Sequence, residues 1–576
     1  IRPAGAKTAD FDTKPFAAQY EWLGATARRQ LFAFIAECEN DTTAQINVFA
    51  YDLDEPDVIA AICRIGKQQR LKAILDNADL HVKPNASGVP PIEVTAAKMI
   101  IAAAGKENVR QGKFSRFQHN KVFIKRDAKG VAQKALFGSM NFSVRGLYVQ
   151  ANNIMVVDDP KTAGVFARAF DVAFAGDVKT GPFVKDAVSA GFTDLSDTSD
   201  ANMPKCGIAV SPHASSDVSL GPVAHSIRAA ASSVLFAVME PDGTGPVLSS
   251  LRQIAATPTV FSYGTVETAS GLAVQSPEGA MGDVTSFAAL TKNVSPPFTQ
   301  EFSGGAGMHI HDKFVVVDFN GTNPVVFTGS SNLASGGEEA NGDSLIRIED
   351  AGIAQMFAIE AVALFDHYHF RRAMQEAPVA RPFTLWYPGK PDAPASPWWQ
   401  PYYDRTRIQM RDRYLFAALP LPPGVAAVKT VDWAALDAAA AGGGKKPASG
   451  QPAATAPSSG KPASGKPSSG RPSSGKRPVA AGSIGGKKPV AGRKPVKAST
   501  VRSPSARTRP TTYDASSWSA ERTSSAAAAK RPDRSARALA PRIKDWLARG
   551  PAPQETHLRT LSGAAPSAGR VERARP

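Results

Sequence analysis

Cysteine is scarce in this chain: three in 576 residues, at unrelated spacings, cannot form a disulfide framework. Cys38, Cys63 and Cys206 share no metal-ligand spacing either, so buried or free thiols are expected and no metal site. Long apolar runs are also missing. Nowhere do about 18 apolar residues follow one another, which excludes a membrane-spanning helix of ordinary hydropathy. The chain starts Ile1-Arg2-Pro3 without a methionine, so a processed, secreted product stays open beside a cytoplasmic one, which is favoured.

Charge is plentiful but unevenly placed. The formal net charge is +16, yet residues 431–576 carry 27 Lys and Arg against 8 Asp and Glu, a local +19. The rest holds 40 basic and 43 acidic residues, close to neutral. Within the tail, Lys461-Pro462-Ala463-Ser464-Gly465 and Lys466-Pro467-Ser468-Ser469-Gly470 begin a five-residue basic repeat that Arg471-Pro472-Ser473-Ser474-Gly475 continues. Such a sequence has too little apolar surface to offset its chain entropy, so a disordered tail is predicted. A short helix around Pro541 to Ala548 is the one ordered candidate within it. A flexible +19 segment would hold a polyanion, either nucleic acid or an anionic membrane surface.

The remaining residues read as one unit written twice. The first copy has a helix around Tyr20 to Glu39, a strand Ile46–Ala50, a helix through Val58–Ile62 and a strand Leu71–Leu75. The second has a helix near Ala224 to Ala231, a strand Val234–Val238, a helix Pro246–Ile254 and a strand Val260–Tyr263. Strands alternating with helices predict a mixed α/β sheet in each copy, with the halves facing each other across one cleft.

Each copy then carries the same ordered set of polar residues. His119-Asn120-Lys121 is followed by Gly138-Ser139-Met140-Asn141, and His311-Asp312-Lys313 by Gly329-Ser330-Ser331-Asn332. One His-x-Lys is noise in a long chain; the whole set twice is not. In an extended segment the histidine and lysine two residues apart project to one side. An imidazole, an ammonium, a hydroxyl and a carboxamide, supplied twice, make a site for a phosphate. One histidine can attack phosphorus while the other protonates the leaving oxygen. Thirteen residues beyond each motif serine the copies diverge: Asn152 follows Ser139 and Asp343 follows Ser330.

This constellation resembles the phospholipase D superfamily, whose pattern is His-x-Lys-x4-Asp followed by Gly-Ser-x-Asn. The likeness runs over roughly residues 20 to 370. Asp318 fits the pattern after Lys313, whereas Asp127 lies one residue too far from Lys121. The resemblance implies a duplicated phospholipase D-like α/β fold around one pseudo-two-fold active-site cleft. It implies catalysis through a phosphohistidine, without cofactor or metal. Catalytic residues would be His119, His311, Lys121, Lys313, Asn141 and Asn332, supported by Ser139, Ser330, Asp343 and Asn152. The order usual in single-chain members makes His119 the nucleophile and His311 the general acid. An amide in the first half and an acid in the second is similar to tyrosyl-DNA phosphodiesterases, in which the first histidine attacks. Asp343 would equally make His311 the better nucleophile.

The expected organisation is a first half over 1–180, a junction over 181–203 and a second half over 204–380. An aromatic-rich segment packing on the core follows over 381–430, then the tail over 431–576. The expected protein is a monomeric phosphodiesterase. The tail leans the substrate towards nucleic acid, with phospholipid headgroups, hydrolysed or transferred to another alcohol, as the alternative. A non-catalytic polyanion-binding protein is the third reading. His309, two positions before His311, is expected to pack or to line a pocket.

Overall fold

The computed structural model describes residues 2–3, 5–195, 203–255, 257, 259–268, 282–286, 309–376, 397–423 and 425. By its contacts the chain divides into one unit of residues 1–444 with 535–576 and another of 445–534. All described residues belong to the first. The basic repeats and the Pro541–Ala548 helix lie outside the described residues, as do Trp386 and Tyr387. Among the described residues no helix is long and apolar enough to cross a membrane.

Sixteen strands follow one another among the described residues. The first seven are β1 (Gln45–Ala50), β2 (Leu71–Leu75), β3 (Val109–Gln111), β4 (Phe117–Gln118), β5 (Val122–Arg126), β6 (Ala132–Gly138) and β7 (Ile154–Val157). Next come β8 (Thr193–Asp194), β9 (Lys205–Val210), β10 (Ser233–Val238), β11 (Phe261–Val266) and β12 (Gly282–Ser286). The last are β13 (Lys313–Val317), β14 (Val325–Gly329), β15 (Asn341–Gly342) and β16 (Ser344–Glu349).

Two mixed sheets result, ordered β3-β2-β1-β5-β6-β7 and β12-β11-β10-β13-β14-β16-β9-β8. In both, three parallel strands meet an antiparallel run at the same place: β1 against β5, and β10 against β13. The second sheet is therefore the first repeated, with β9 and β8 added at its edge.

Alternation along the strands explains the layering. Val48 and Ala50 enter one core with helices Ala17–Asn40, Pro56–Lys67 and Ile92–Ala104, while Phe49 between them faces another. Phe236 and Val238 likewise pack with helices Asp217–Arg228 and Pro246–Ile254, and Leu235 and Ala237 face the opposite way. The inward faces of both sheets share a single core with helices Pro160–Ala175 and Ala351–Glu376. Five layers follow: helices, sheet, helices, sheet, helices.

Local signals start the helices. Glu55 accepts from Val58 N at 2.7 Å with Pro56 in the first turn, and Asp159 accepts from Thr162 N at 2.7 Å ahead of Pro160. The helix expected near Ala224 to Ala231 runs instead from Asp217 to Arg228. Helix Ile408–Phe416 packs Phe416 on Phe261 and Phe319, whereas Trp398 and Trp399 are exposed. Cys38, Cys63 and Cys206 are free and buried.

Candidate active site

Both motif histidines fall in short breaks at the ends of strands that face one another across the two halves. His119 sits between β4 and β5, and His311 two residues before the start of β13. Neither stands inside a strand, but each is held by the backbone of the opposite half. β4 pairs with β15, and His119 N donates to Gly342 O at 2.8 Å. In the mirror arrangement, Ala151 N donates to His309 O at 2.8 Å and His311 N to Ala151 O at 3.1 Å.

That exchange of backbone crosses the side chains too. His119 Nδ1 lies 2.6 Å from Asp343 Oδ1, and His311 Nδ1 lies 2.8 Å from Asn152 Oδ1. Each ring is oriented by the residue that follows the other half's serine motif. Asp343 therefore does not serve His311. Ser330 Oγ donates to Asp343 Oδ1 at 2.8 Å and Ser139 Oγ to Asn152 Oδ1 at 2.9 Å, so the serines fix the orienting groups. Asn152 Nδ2 donates to Gly146 O at 3.0 Å, which turns its carbonyl towards His311. With an amide oxygen as its partner, His311 Nδ1 must carry the hydrogen.

The glycine of each motif has a steric reason. A Cβ on Gly138 would lie 2.3 Å from Asn153 O, and one on Gly329 2.2 Å from Ser344 O. Only glycine lets β6 and β14 run this close to the neighbouring strand and so bring each serine to its partner.

Lys121 and Lys313 are buried, and each ammonium donates to the carbonyl of its own motif histidine at 2.5 Å. Lys121 Nζ sits 4.7 Å from the centre of the Tyr51 ring, and Lys313 Nζ 3.4 Å from Met239 Sδ, the residue at the matching place after β10. Asn141 Nδ2 reaches Asp52 Oδ2 at 3.5 Å and Asn332 Nδ2 reaches Glu240 Oε1 at 2.8 Å. The Oδ1 of both asparagines is buried without a partner. The twelve residues expected in or around the site thus divide cleanly: ten converge and the two motif aspartates do not.

Asp318 accepts from Ser232 N at 2.7 Å and Ser233 N at 3.0 Å, tying the entry of β10 to the end of β13. Asp127 accepts from Lys129 N and Val131 N, each at 2.9 Å, in the β5–β6 hairpin. The place matching Asp318 is taken by Arg126, where the pairing of β5 with β6 slips by a residue. His309 packs as expected, its Nδ1 3.1 Å from Glu267.

Burial dominates the electrostatics. It pushes the His119 imidazole down to about 4, with Lys121 adding to the effect and Asp343 opposing it. His311 is held well below the usual imidazole range by burial and by Lys313 and Lys121. Lys121 falls well below the ammonium range, and Lys313 to about 7, although Asp312 beside it works the other way. Burial would raise Asp343, but His119 and Lys121 keep its carboxyl below the ordinary range. Asp312, pushed up to about 6 by burial, accepts from Asn153 Nδ2 at 2.7 Å and Ser139 Oγ at 3.3 Å, a further link between the halves.

Sequence reading missed Tyr51, Asp52, Met239, Glu240 and Asp312. The signal was present for the first four: they occupy matching places after the matching strands β1 and β10.

No curated protein matches the chain. Among solved structures it is similar to phosphatidylserine synthase from Haemophilus influenzae, at 10% identity over 57% of this chain and 82% of that one, with a TM-score of 0.40. It is also similar to the phospholipase D family member Nuc from Salmonella typhimurium, at 17% identity over 29% of this chain and 94% of that one, TM-score 0.20. A third likeness is to polyphosphate kinase from Porphyromonas gingivalis, at 12% identity over 65% of this chain, TM-score 0.36. The chain spans about half (51%) of that kinase. Residues 32–173 match the family model of the phospholipase D-like domain of cardiolipin synthase. That stretch holds the whole first motif and is a phospholipase D-like domain, and the second half repeats its fold and its motif.

Proposed function

We propose that the protein is a phosphodiesterase in which His119 is the nucleophile and His311 the general acid. The observation that carries the assignment is the crossed pairing: the carboxylate of Asp343 faces His119 and the amide of Asn152 faces His311. With Nδ1 of His119 held by Asp343, Nε2 is the nitrogen left to attack. A new N–P bond forms as the P–O ester bond breaks, and His311 gives its proton to the departing oxygen. The phosphorylated ring gains positive charge, which the Asp343 anion stabilises and an amide would not. His311 faces no such anion, so its protonated form is the more acidic and the better proton donor. Water or another alcohol then attacks phosphorus, giving its proton to His311 as the N–P bond breaks. Lys121, Lys313, Asn141 and Asn332 hold the non-bridging oxygens throughout.

Nucleic acid is the favoured substrate. Its support is the +19 carried by residues 431–576 beside a near-neutral remainder. Exposed Trp398, Trp399 and Tyr402 support the second reading, a phospholipid at a bilayer surface. Plasmid DNA, single-stranded DNA and phosphatidylcholine vesicles, each offered with chelator, separate the two. Choline release without nicking would end the nuclease reading. Alkali-quenched enzyme, in which an N–P bond survives, should carry the substrate's phosphoryl group on the peptide with His119, and the same group on His311 instead would reverse the roles. A chain ending at Ala440 should turn over a small soluble diester unchanged. It should bind DNA with a shallower salt dependence, because fewer counterions are released. Equal slopes would remove the argument from the tail.

A further inference from the structure

Beside the first motif, but outside the reacting groups, three potential metal ligands converge. Asp52 follows β1, His81 lies in the short helix Asp79–Val82, and Glu93 is in the first turn of helix Ile92–Ala104. One ligand atom from each lies within 4.8 Å of the other two. Two acids and a histidine alone would mean little. The state of His81 is the second observation. Its side chain is 1% exposed, and its Nε2 is buried with no hydrogen-bond partner. The Nδ1 is 2.9 Å from Asp76 Oδ1, and Asp76 is itself fixed by Ala78 N at 2.7 Å and Gln118 N at 2.6 Å. Donation of Nδ1–H to Asp76 leaves the Nε2 lone pair aimed at Asp52 Oδ1, 3.9 Å away. A lone pair facing carboxylate oxygens is repelled unless something positive stands between them.

We propose that Asp52, His81 and Glu93 bind a divalent transition-metal ion of the zinc class. A histidine nitrogen with two carboxylate oxygens is a borderline donor set, suited to zinc or manganese rather than to calcium or magnesium. The carboxylate–imidazole pair behind the ligand nitrogen is the usual support of a metal-bound histidine. A cavity of about 20 Å³ touches His81 and Glu93, room for one ion or water. Ligand atoms around a tetrahedral zinc stand about 3.4 Å apart, so closing on the ion asks Asp52 and His81 to approach by about half an ångström. Water would complete the coordination, since Asp52 and Glu93 are only partly buried.

The ion would take no part in bond making. It would hold Asp52, which accepts from Ser143 Oγ at 3.1 Å and receives Asn141. It would also brace Tyr51, whose ring lies 4.6 Å from that of His81 and 4.5 Å from that of His119.

Chelator-stripped full-length protein titrated with zinc chloride in a calorimeter, without substrate, tests this apart from the catalytic reading. The expected result is one saturable site of micromolar affinity or better, and a zinc-dependent rise in Tm. Glu93→Gln should weaken binding at least tenfold, His81→Gln likewise, and His119→Asn should not change it. No saturable uptake of zinc or manganese overturns the proposal, as does equal affinity in all three variants. If either ligand variant fails to fold, infrared difference spectra of the unaltered protein decide. Zinc should shift the carboxylate stretching bands to those of metal-bound carboxylate, and bands unmoved at saturating zinc overturn the proposal.

Discussion

Residues at the candidate phosphate site are held in states that oppose stability. Lys313 is buried, and its ammonium has been drawn from 10.5 to about 7. Below that pH the folded protein carries a charge in a place that disfavours it, at a cost of up to about 5 kcal/mol. Lys313→Met should therefore abolish turnover while stabilising the fold by about 2 kcal/mol at pH 6, the remainder being lost to Asp312 and Glu240 left without their cation. The gain should shrink as pH rises through 7 and vanish near 10.5, where the unfolded lysine also loses its proton; urea melts across pH check it. On the proposed roles, the same groups set the activity profile. Protonation of His119 removes the nucleophile below about 4, and loss of the Lys313 proton weakens phosphate binding above about 7. kcat/KM should be greatest on the acid side of this window, because the His311 proton that the leaving oxygen takes is itself lost well below the usual imidazole range. Because Asp312 raises the Lys313 value, Asp312→Asn should move the alkaline limb to lower pH, and an unmoved limb would assign it to another group.

At the scale of elements, the two Gly-Ser turns are the most constrained pieces. Gly329→Ala would drive a methyl into Ser344 O, forcing β14 and β16 apart and moving Ser330 off Asp343. A loss on the order of 3 kcal/mol is expected in thermal or denaturant melts, with activity falling further than stability. Gly138→Ala should behave alike through Asn153 O. Much of this layer was legible beforehand. The runs at β1, β2 and β10 are apolar enough to read as strands, and their repetition gave the doubled sheet. The sequence puts the histidines in extended segments, and they stand in breaks beside the strands, because their amides are spent on the other half's backbone rather than on a sheet neighbour. The contacts of Asp52 with Asn141 and of Glu240 with Asn332 span about 90 residues and leave no local trace. Asp343 was found by spacing, but its partner, 224 residues away, could not be.

The whole molecule is one site built from two halves, neither of which orients its own histidine. Exchanging the two orienting groups should consequently exchange the roles. In a chain with Asn152→Asp and Asp343→Asn, trapped phosphate should move from the His119 peptide to the His311 peptide, with residual turnover. Phosphate remaining on His119 would mean that another asymmetry, such as Asn120 against Asp312, fixes the direction. The crossed pairing carries a broader consequence. Two identical subunits meeting in this way would be obliged to give both histidines the same companion, and a mutation improving one would alter the other in step. Joining the copies in one chain lifts that obligation. On the proposed roles, position 343 can be selected for a nucleophile and position 152 for a proton donor, so a symmetric scaffold acquires a front and a back, and with them a fixed polarity for an ester bound there.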